Sequence, residues 1–361
     1  MHSSQLPILR LTGTDPKSWG RQHGEAMRQQ VREMADIRAK LLDAALGGRG
    51  WSAGQIEKLC DDQLAALAKR WPTVLAELQG ISETSSVSLR ELVVSNAYTD
   101  LRDFPAADAT PDDSGCSAIA AHGPHVNFIA QTWDMHASAE PYTLLLEFPD
   151  APMPVRVLTV AGCVGLSGVN AAGVSVMINT LQSSETNRHG LLWPGLVRLM
   201  LEQSTARAAV DFLSANLPSA GRNFVIADRT QAFDIEVTGR RFEQLGVASD
   251  AQPGYLLHTN HYRGLFADTE WKDRLGLTTH DRLAALERFT QELPVDRLNG
   301  DELRRAFFET GALCNCINLR NPADANAAAT CGGLGVDHLA GKGFAFRGQY
   351  RADSLVEWNL R

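Results

Sequence analysis

Gly115-Cys116-Ser117-Ala118-Ile119-Ala120-Ala121 divides this chain into two unlike parts. Upstream, apolar residues recur at helical spacing; downstream, β-branched and alternating runs dominate. The stretch closes a Pro/Ala/Asp-rich segment, 102–114, and opens a strand, so the Gly115–Cys116 peptide bond lies where loop meets sheet. A cut there makes Cys116 an amino terminus. A cysteine with both a thiol and a free α-amine holds nucleophile and general base in one residue. An amine titrating near ~7.7–8.0 exchanges a proton with a thiol near ~8.5 at little cost. The same residue also reads as a buried structural cysteine at a strand start.

Working outward, Asp15-Pro16 starts a helix, and Trp19, Met27, Val31, Met34, Ile37, Leu41 and Leu42 keep roughly helical spacing as far as Gly47-Gly48. A further helix is expected over 55–70, continuing past Pro72 to about Gly80, and another where Ser88-Leu89-Arg90-Glu91 forms a capping box. After the junction, the alternation predicts strands over 117–121, 126–132, 142–148, 155–160 and 174–180. Helices follow over 191–203 and 206–216, strands over 223–228 and 233–238, helices over 280–292 and 301–310, and short strands near 343–347 and 355–358. Periodicity alone gives an α+β chain with no internal repeat.

The 44% hydrophobic and 21% charged residues among 361 suffice for a substantial core. A net charge of -8 with no dense Lys/Arg patch argues against nucleic acid or an anionic membrane as partner. The first residues lack a secretory pattern and no apolar run approaches the ~18 residues that span a bilayer. The six cysteines, Cys60, Cys116, Cys163, Cys314, Cys316 and Cys331, are sparse and irregularly spaced, which disfavours a disulfide framework and makes the cytoplasm the expected location.

Downstream of Cys116 stand Gln131-Thr132-Trp133-Asp134, Gly168-Val169-Asn170-Ala171-Ala172-Gly173, Met177-Ile178-Asn179-Thr180-Leu181, Arg222-Asn223-Phe224-Val225-Ile226-Ala227-Asp228 and His258-Thr259-Asn260-His261-Tyr262. In that order, and with Trp19-Gly20-Arg21-Gln22-His23-Gly24 in the first helix, they resemble the acyl-coenzyme A:6-aminopenicillanate acyltransferase (isopenicillin N acyltransferase)-like family of N-terminal nucleophile cysteine hydrolases. The resemblance spans nearly the whole chain. It implies a four-layer αββα sandwich of two antiparallel sheets. It also implies self-cleavage at Gly115-Cys116 into a helical α-chain, 1–115, and a catalytic β-chain, 116–361, which stay together as a heterodimer, with a higher oligomer left open.

By the same resemblance Cys116 is the nucleophile, and Asp134, eighteen residues on, binds its new ammonium group. Asn260 is the oxyanion donor and Asn179 a second candidate for that role. Ser117 and Trp133 lie at the substrate, and Arg320 stands where the family carries an arginine near its site, although its flanking residues match poorly. Trp193, Phe224 and Trp271 are further candidates for an apolar acyl pocket, or plain core. Asn170 sits in a turn composition and suits a backbone role. One departure is Ala118, where family members carry a second hydroxyl residue after the cysteine.

Rival chemistry is weaker. His122-x-x-His125 with Asp134 and His136 resembles zinc ligands by type, but Gly123-Pro124 puts both histidines in a solvated hairpin turn. Cys314-x-Cys316 with Cys331 has neither zinc-finger nor redox spacing and fits one face of a core strand. Gly332-Gly333-Leu334-Gly335 lacks the strand-to-helix context of a phosphate loop. No metal or cofactor is expected. The sequence therefore reads as a self-processing cysteine amidohydrolase acting on a small-molecule linear amide, with acyl transfer from coenzyme A as the alternative. A different class remains open as well: an uncut, inactive binding protein.

Overall fold

The computed structural model of the protein describes residues 5–47, 52–104, 115–271, 278–309 and 328–360. Ahead of Cys116 run β1 (Ile8–Arg10), α1 (Pro16–Ala26), α2 (Arg28–Gly47), α3 (Ala53–Arg70), α4 (Pro72–Ser85) and α5 (Leu89–Asp103). Asp15 caps α1 by accepting from the Lys17 and Ser18 N–H groups, and Pro16 occupies the first turn, where its missing N–H costs nothing. Ser88 and Glu91 close the capping box of α5.

After the junction come β2 (Ser117–Gly123), β3 (Val126–His136), β4 (Thr143–Phe148), β5 (Val155–Val160), β6 (Ser167–Asn170) and β7 (Ser175–Thr180). Then follow α6 (Trp193–Met200), α7 (Ala206–Ala215), β8 (Arg222–Ala227), β9 (Gln231–Val237), β10 (Phe242–Ser249) and β11 (Gly254–His258). The described chain ends with α8 (Thr279–Glu292), α9 (Gly300–Glu309), β12 (Ala328–Asp337), β13 (Lys342–Arg347) and β14 (Val356–Asn359).

The strands form two sheets, one of eight in the order β1-β4-β5-β6-β7-β8-β9-β10 and one of six in the order β11-β2-β3-β12-β13-β14. Alternation along the strands sets the layers. Ala118, Ala120 and Ile129 of the six-stranded sheet share an apolar cluster with Leu158, Met177 and Val225 of the eight-stranded one, so the sheets pack face to face. The residues between them point the other way. Ile119, Phe128 and Phe346 pack against Leu286 and Phe307 of α8 and α9, while Leu146, Ile178 and Phe224 pack against the helices on the far side, including Met34, Leu78 and Leu92. Helix, sheet, sheet, helix is the resulting order, the αββα sandwich that the resemblance implied.

The periodicity does not predict strands β6, β10, β11 and β12, and two further details differ from expectation. The sheets are antiparallel except at one edge, where β1 runs parallel to β4 with Ile8 opposite Leu145. The stretch before Cys116 is thus not purely helical; it contributes an edge strand to the large sheet. The Trp19-Gly20-Arg21-Gln22-His23-Gly24 motif acquires a packing reason. A Cβ on Gly20 would stand 1.9 Å from the Glu77 carbonyl oxygen of α4, and one on Gly80 would stand 2.1 Å from that of Lys17, so the two helices touch backbone to backbone. Among the described residues no helix is long and apolar enough to cross a membrane.

Candidate active site

The hairpin of β2 and β3 explains why eighteen residues separate Cys116 from Asp134. Ser117 pairs with Thr132 and Ala118 with Gln131, so each step back along β2 is a step forward along β3, and Cys116 arrives beside Trp133 and Asp134. The thiol contacts the backbone carbonyl of Asp134, Sγ to O 4.0 Å, and Cys116 is 6% exposed. Across β3 the ladder to β12 carries a bulge. Thr330 pairs with Asp134 and Gly332 with Trp133, leaving Cys331 as the extra residue. The Thr330 hydroxyl donates to Asp134 Oδ1 at 2.7 Å, which fixes a buried carboxylate next to the candidate nucleophile.

Three more polar side chains converge on the junction. Asn179, at the end of β7, donates Nδ2 to the Cys116 carbonyl oxygen at 2.8 Å. Arg282, in the first turn of α8, donates Nη1 to the same oxygen at 2.7 Å and to Ser117 Oγ at 3.0 Å. Its Nη2 donates to Asn260 Oδ1 at 2.9 Å, and Asn260 Nδ2 donates in turn to the Thr180 carbonyl at 3.0 Å. Burial pulls the Arg282 pKa below its usual value, opposed by the charges of Asp134 and Cys116. Gly115 is wedged among these groups. A Cβ there would lie 2.2 Å from Arg282 Nη2 and 2.8 Å from Asn260 Oδ1, so a side chain has no room.

The segment carrying Asn260 is clamped from behind. His258 Nε2 and Glu236 Oε1 are 2.9 Å apart, both residues fully buried, and the Glu236 carboxylate also accepts from the N–H groups of Arg263 and Gly264 at 2.6 and 3.1 Å. Desolvation lowers the His258 pKa, but Asp234 and Glu236 outweigh it and hold the imidazole above its ordinary value. The Asn260 N–H donates to the Thr279 hydroxyl at 2.8 Å, tying the segment to α8.

Cys116 borders a narrow cavity whose wall includes Arg38, Trp133, Met135, Ile178, Trp193 and Arg222. The cavity is tight, with a volume of about 30 Å³. One wall comes from α5. Asn96 donates to the Leu92 and Gly162 carbonyls and accepts from the Val164 N–H. The helix is non-helical at Ala97, φ -112 and ψ 18, and Tyr98 and Thr99 beyond that kink line the cavity.

Of the residues singled out in the sequence, Gly115, Cys116, Ser117, Trp133, Asp134, Asn179 and Asn260 come together here. Arg320, Cys314 and Cys316 lie outside the described residues. Trp193 lines the cavity, whereas Phe224 and Trp271 do not. Asn170 has the expected turn role, accepting from the Val174 N–H and donating to the Leu201 and Gln203 carbonyls. His122 is not the solvated turn residue expected of it; it is a buried member of β2, paired with Asp250 at 2.8 Å, while His125 is exposed.

Sequence reading missed Arg282. Its signal was an arginine on the buried face of an amphipathic helix, one turn before Leu286 and next to Leu283, both buried. Arginine is seldom buried there without a partner.

The family model for acyl-coenzyme A:6-aminopenicillanic acid acyl-transferase matches residues 122–305, just over half of the chain. The acyl-coenzyme A:6-aminopenicillanic-acid-acyltransferase 40 kDa form of Emericella nidulans is 24% identical over 254 residues, covering 68% of this chain and 67% of that protein. Among solved structures, penicillin V acylase from Agrobacterium tumefaciens aligns at TM-score 0.38 and 14% identity, covering 67% of this chain and 78% of that one. A mutant form of conjugated bile acid hydrolase from Clostridium perfringens aligns at TM-score 0.42 and 11% identity, covering 68% of this chain and 92% of that one.

Proposed function

Because this chain belongs to the acyl-coenzyme A:6-aminopenicillanic acid acyl-transferase family, we propose that it is a self-processing N-terminal cysteine hydrolase of linear amides. The carrying observation is the convergence of Asp134, Asn179, Asn260 and Arg282 on one backbone junction, Gly115–Cys116.

In the first phase Cys116 Sγ attacks the Gly115 carbonyl carbon. The C–N bond breaks as the Cys116 nitrogen takes a proton, leaving a thioester between Gly115 and Sγ. Water hydrolyses that thioester and frees both the thiol and the Gly115 carboxylate. Arg282, whose Nη2 lies beside Gly115, is the donor at hand for the negative charge on its oxygen, and Asn260 Oδ1 holds that Nη2 in place. The products, 1–115 and 116–361, stay associated through β1, which pairs with β4, and through the Glu77–Arg198 ion pair at 2.9 Å.

In the second phase the Cys116 amine takes the thiol proton, and the thiolate attacks the substrate amide. The departing amine leaves with the proton returned by the Cys116 ammonium, which Asp134 orients. Water, deprotonated by the Cys116 amine, then resolves the acyl-enzyme into the carboxylic acid and the free thiol. A second reading rests on the Emericella nidulans relative, whose name describes an acyltransferase: an amine instead of water accepts the acyl group. An acyl-enzyme formed from an acyl-coenzyme A thioester would favour it.

Intact mass and amino-terminal sequencing of purified protein test the proposal. The expected result is a fragment beginning at Cys116. Amide hydrolysis by material that remains a single uncut chain would overturn it, and an uncut chain without hydrolysis would favour a binding protein.

A further inference from the structure

A second cavity, which Cys116 does not border, has a volume of about 460 Å³, enough for a small organic molecule. Its walls come from both sides of the junction: Trp19 of α1 and Glu77 of α4 from upstream, Met153, Arg198, Leu201 and Glu202 from downstream. Glu77 is 3% exposed. Its Oε1 accepts from Arg198 Nη1 at 2.9 Å, whereas its Oε2 accepts from no described residue. Arg198 is engaged on other sides as well, donating Nη1 to the Val164 carbonyl at 3.2 Å and lying 3.9 Å over the Phe148 ring. Glu202 stands exposed at the rim and forms no ion pair with any described residue.

Among the described residues lining this cavity, two carboxylates face a single guanidinium, which leaves one negative charge over when all are ionised. Burial raises the Glu77 pKa; Arg198 opposes the rise and Glu202 adds to it. What the site lacks is a cation, because a buried charge without a full complement of partners is unfavourable. Helix α6 ends at Met200, so its carbonyl end points the same way, towards positive charge. The first turn of α4, with Thr73 and Val74, also borders the cavity and pulls in the other direction. We propose that this cavity binds an organic amine with an apolar body, its ammonium between Glu77 Oε2 and Glu202 and its hydrocarbon against Trp19, Met153 and Leu201. Such a ligand touches both fragments of a cut chain, and its binding does not depend on the chemistry of Cys116.

Three probes of one shape test this by calorimetric titration of the purified protein: 4-phenylbutylamine, the neutral 4-phenylbutanol and the anionic 4-phenylbutanoate. The amine is expected to bind with a Kd of roughly 1 mM or tighter, reasonable for a ligand of its size, and about tenfold or more tighter than either control, the worth of one charge-assisted contact. Glu202→Gln, at an exposed position that supports no other residue, should erase most of that margin while leaving the alcohol's affinity as it was. Ala151→Trp, which fills the cavity from its rim, should abolish binding of the amine. Equal affinities, a preference for the anion or no binding by the unmodified chain overturns the proposal and needs no variant to fold. So does a margin that persists in Glu202→Gln, or amine binding that persists in Ala151→Trp, since either would place the amine elsewhere on a chain of net charge -8.

Discussion

The Arg282 guanidinium donates to the carbonyl oxygen of Cys116 at 2.7 Å, so a residue of α8 holds the backbone of the candidate nucleophile from 166 positions away. The same guanidinium orients Asn260 and meets Ser117 Oγ. A lysine keeps the charge but loses the planar fork that serves four acceptors at once, Thr278 Oγ1 included. Arg282→Lys should slow the appearance of the 116–361 fragment by about 100-fold, the scale of one lost preorganised donor. A gel time course after synthesis measures it, with near-UV circular dichroism to show that the precursor is folded. Unchanged half-times would remove Arg282 from the machinery.

Gly115 offers a steric test of the same geometry. In Gly115→Ala the new methyl group would stand 2.2 Å from Arg282 Nη2 and 2.8 Å from Asn260 Oδ1. The neighbour best able to yield is the arginine, and its retreat breaks the bonds to Cys116 and Asn260. Cutting should therefore slow at least tenfold while the fold persists, because each displaced hydrogen bond of a charged group costs the fold only about 1.5–3 kcal/mol. Normal cutting in this variant would mean that Arg282 is not needed where it stands.

Much of this site was legible in the sequence because hairpin arithmetic is local. The run from Ser117 to Asp134 carries its own register, and the Gly123-Pro124 turn fixes which residues face each other. Asn179 and Asn260 were reachable only through resemblance, since nothing in their neighbourhoods says that β7 and β11 end at the same place. Two of the strands that escaped notice explain themselves. β12 is built around Gly332, Gly333 and Gly335, where side chains would collide with Phe346 and Phe344, so it lacks the β-branched pattern that marks a strand. β1 is three residues long and gains its place only by pairing with β4. Arg282 was hidden because helical periodicity reports a buried face but not a charge placed on it for a distant partner.

The glycines between α1 and α4 can be tested without reference to chemistry. Gly20→Ala would place a methyl carbon 1.9 Å from the Glu77 carbonyl oxygen, and rigid backbone on both sides leaves no side chain to yield. Separating the helices should lower stability by about 1–3 kcal/mol, as overpacking does. The cost should appear as a lower urea midpoint in the uncut Cys116→Ala chain. An unchanged midpoint would show that the contact between the helices is looser than described.

His23 makes the stability of this protein sensitive to acid. It is fully buried on α1 and accepts the Gly162 N–H at Nε2, 3.1 Å. Burial, with help from Arg198, lowers its pKa to about 4. In the unfolded chain the same imidazole titrates near ~6.5. Above that value both states are neutral and the contribution is complete. Between ~6.5 and about 4 only the unfolded state takes the proton, so stability drains away as pH falls. At roughly 1.4 kcal/mol per unit, the loss reaches about 3 kcal/mol by the lower limit. His258, with its pKa raised, acts in the opposite direction, its share being complete at low pH and lost on going alkaline, and burial also lowers His261 and His338 to about 3, so the raw curve mixes several groups. Comparing the Cys116→Ala chain with and without His23→Gln isolates the first, because glutamine can accept the Gly162 N–H and does not titrate. The gap between their urea midpoints should shrink steadily from pH 7 to pH 5, and parallel curves over that interval would show that His23 is not held neutral.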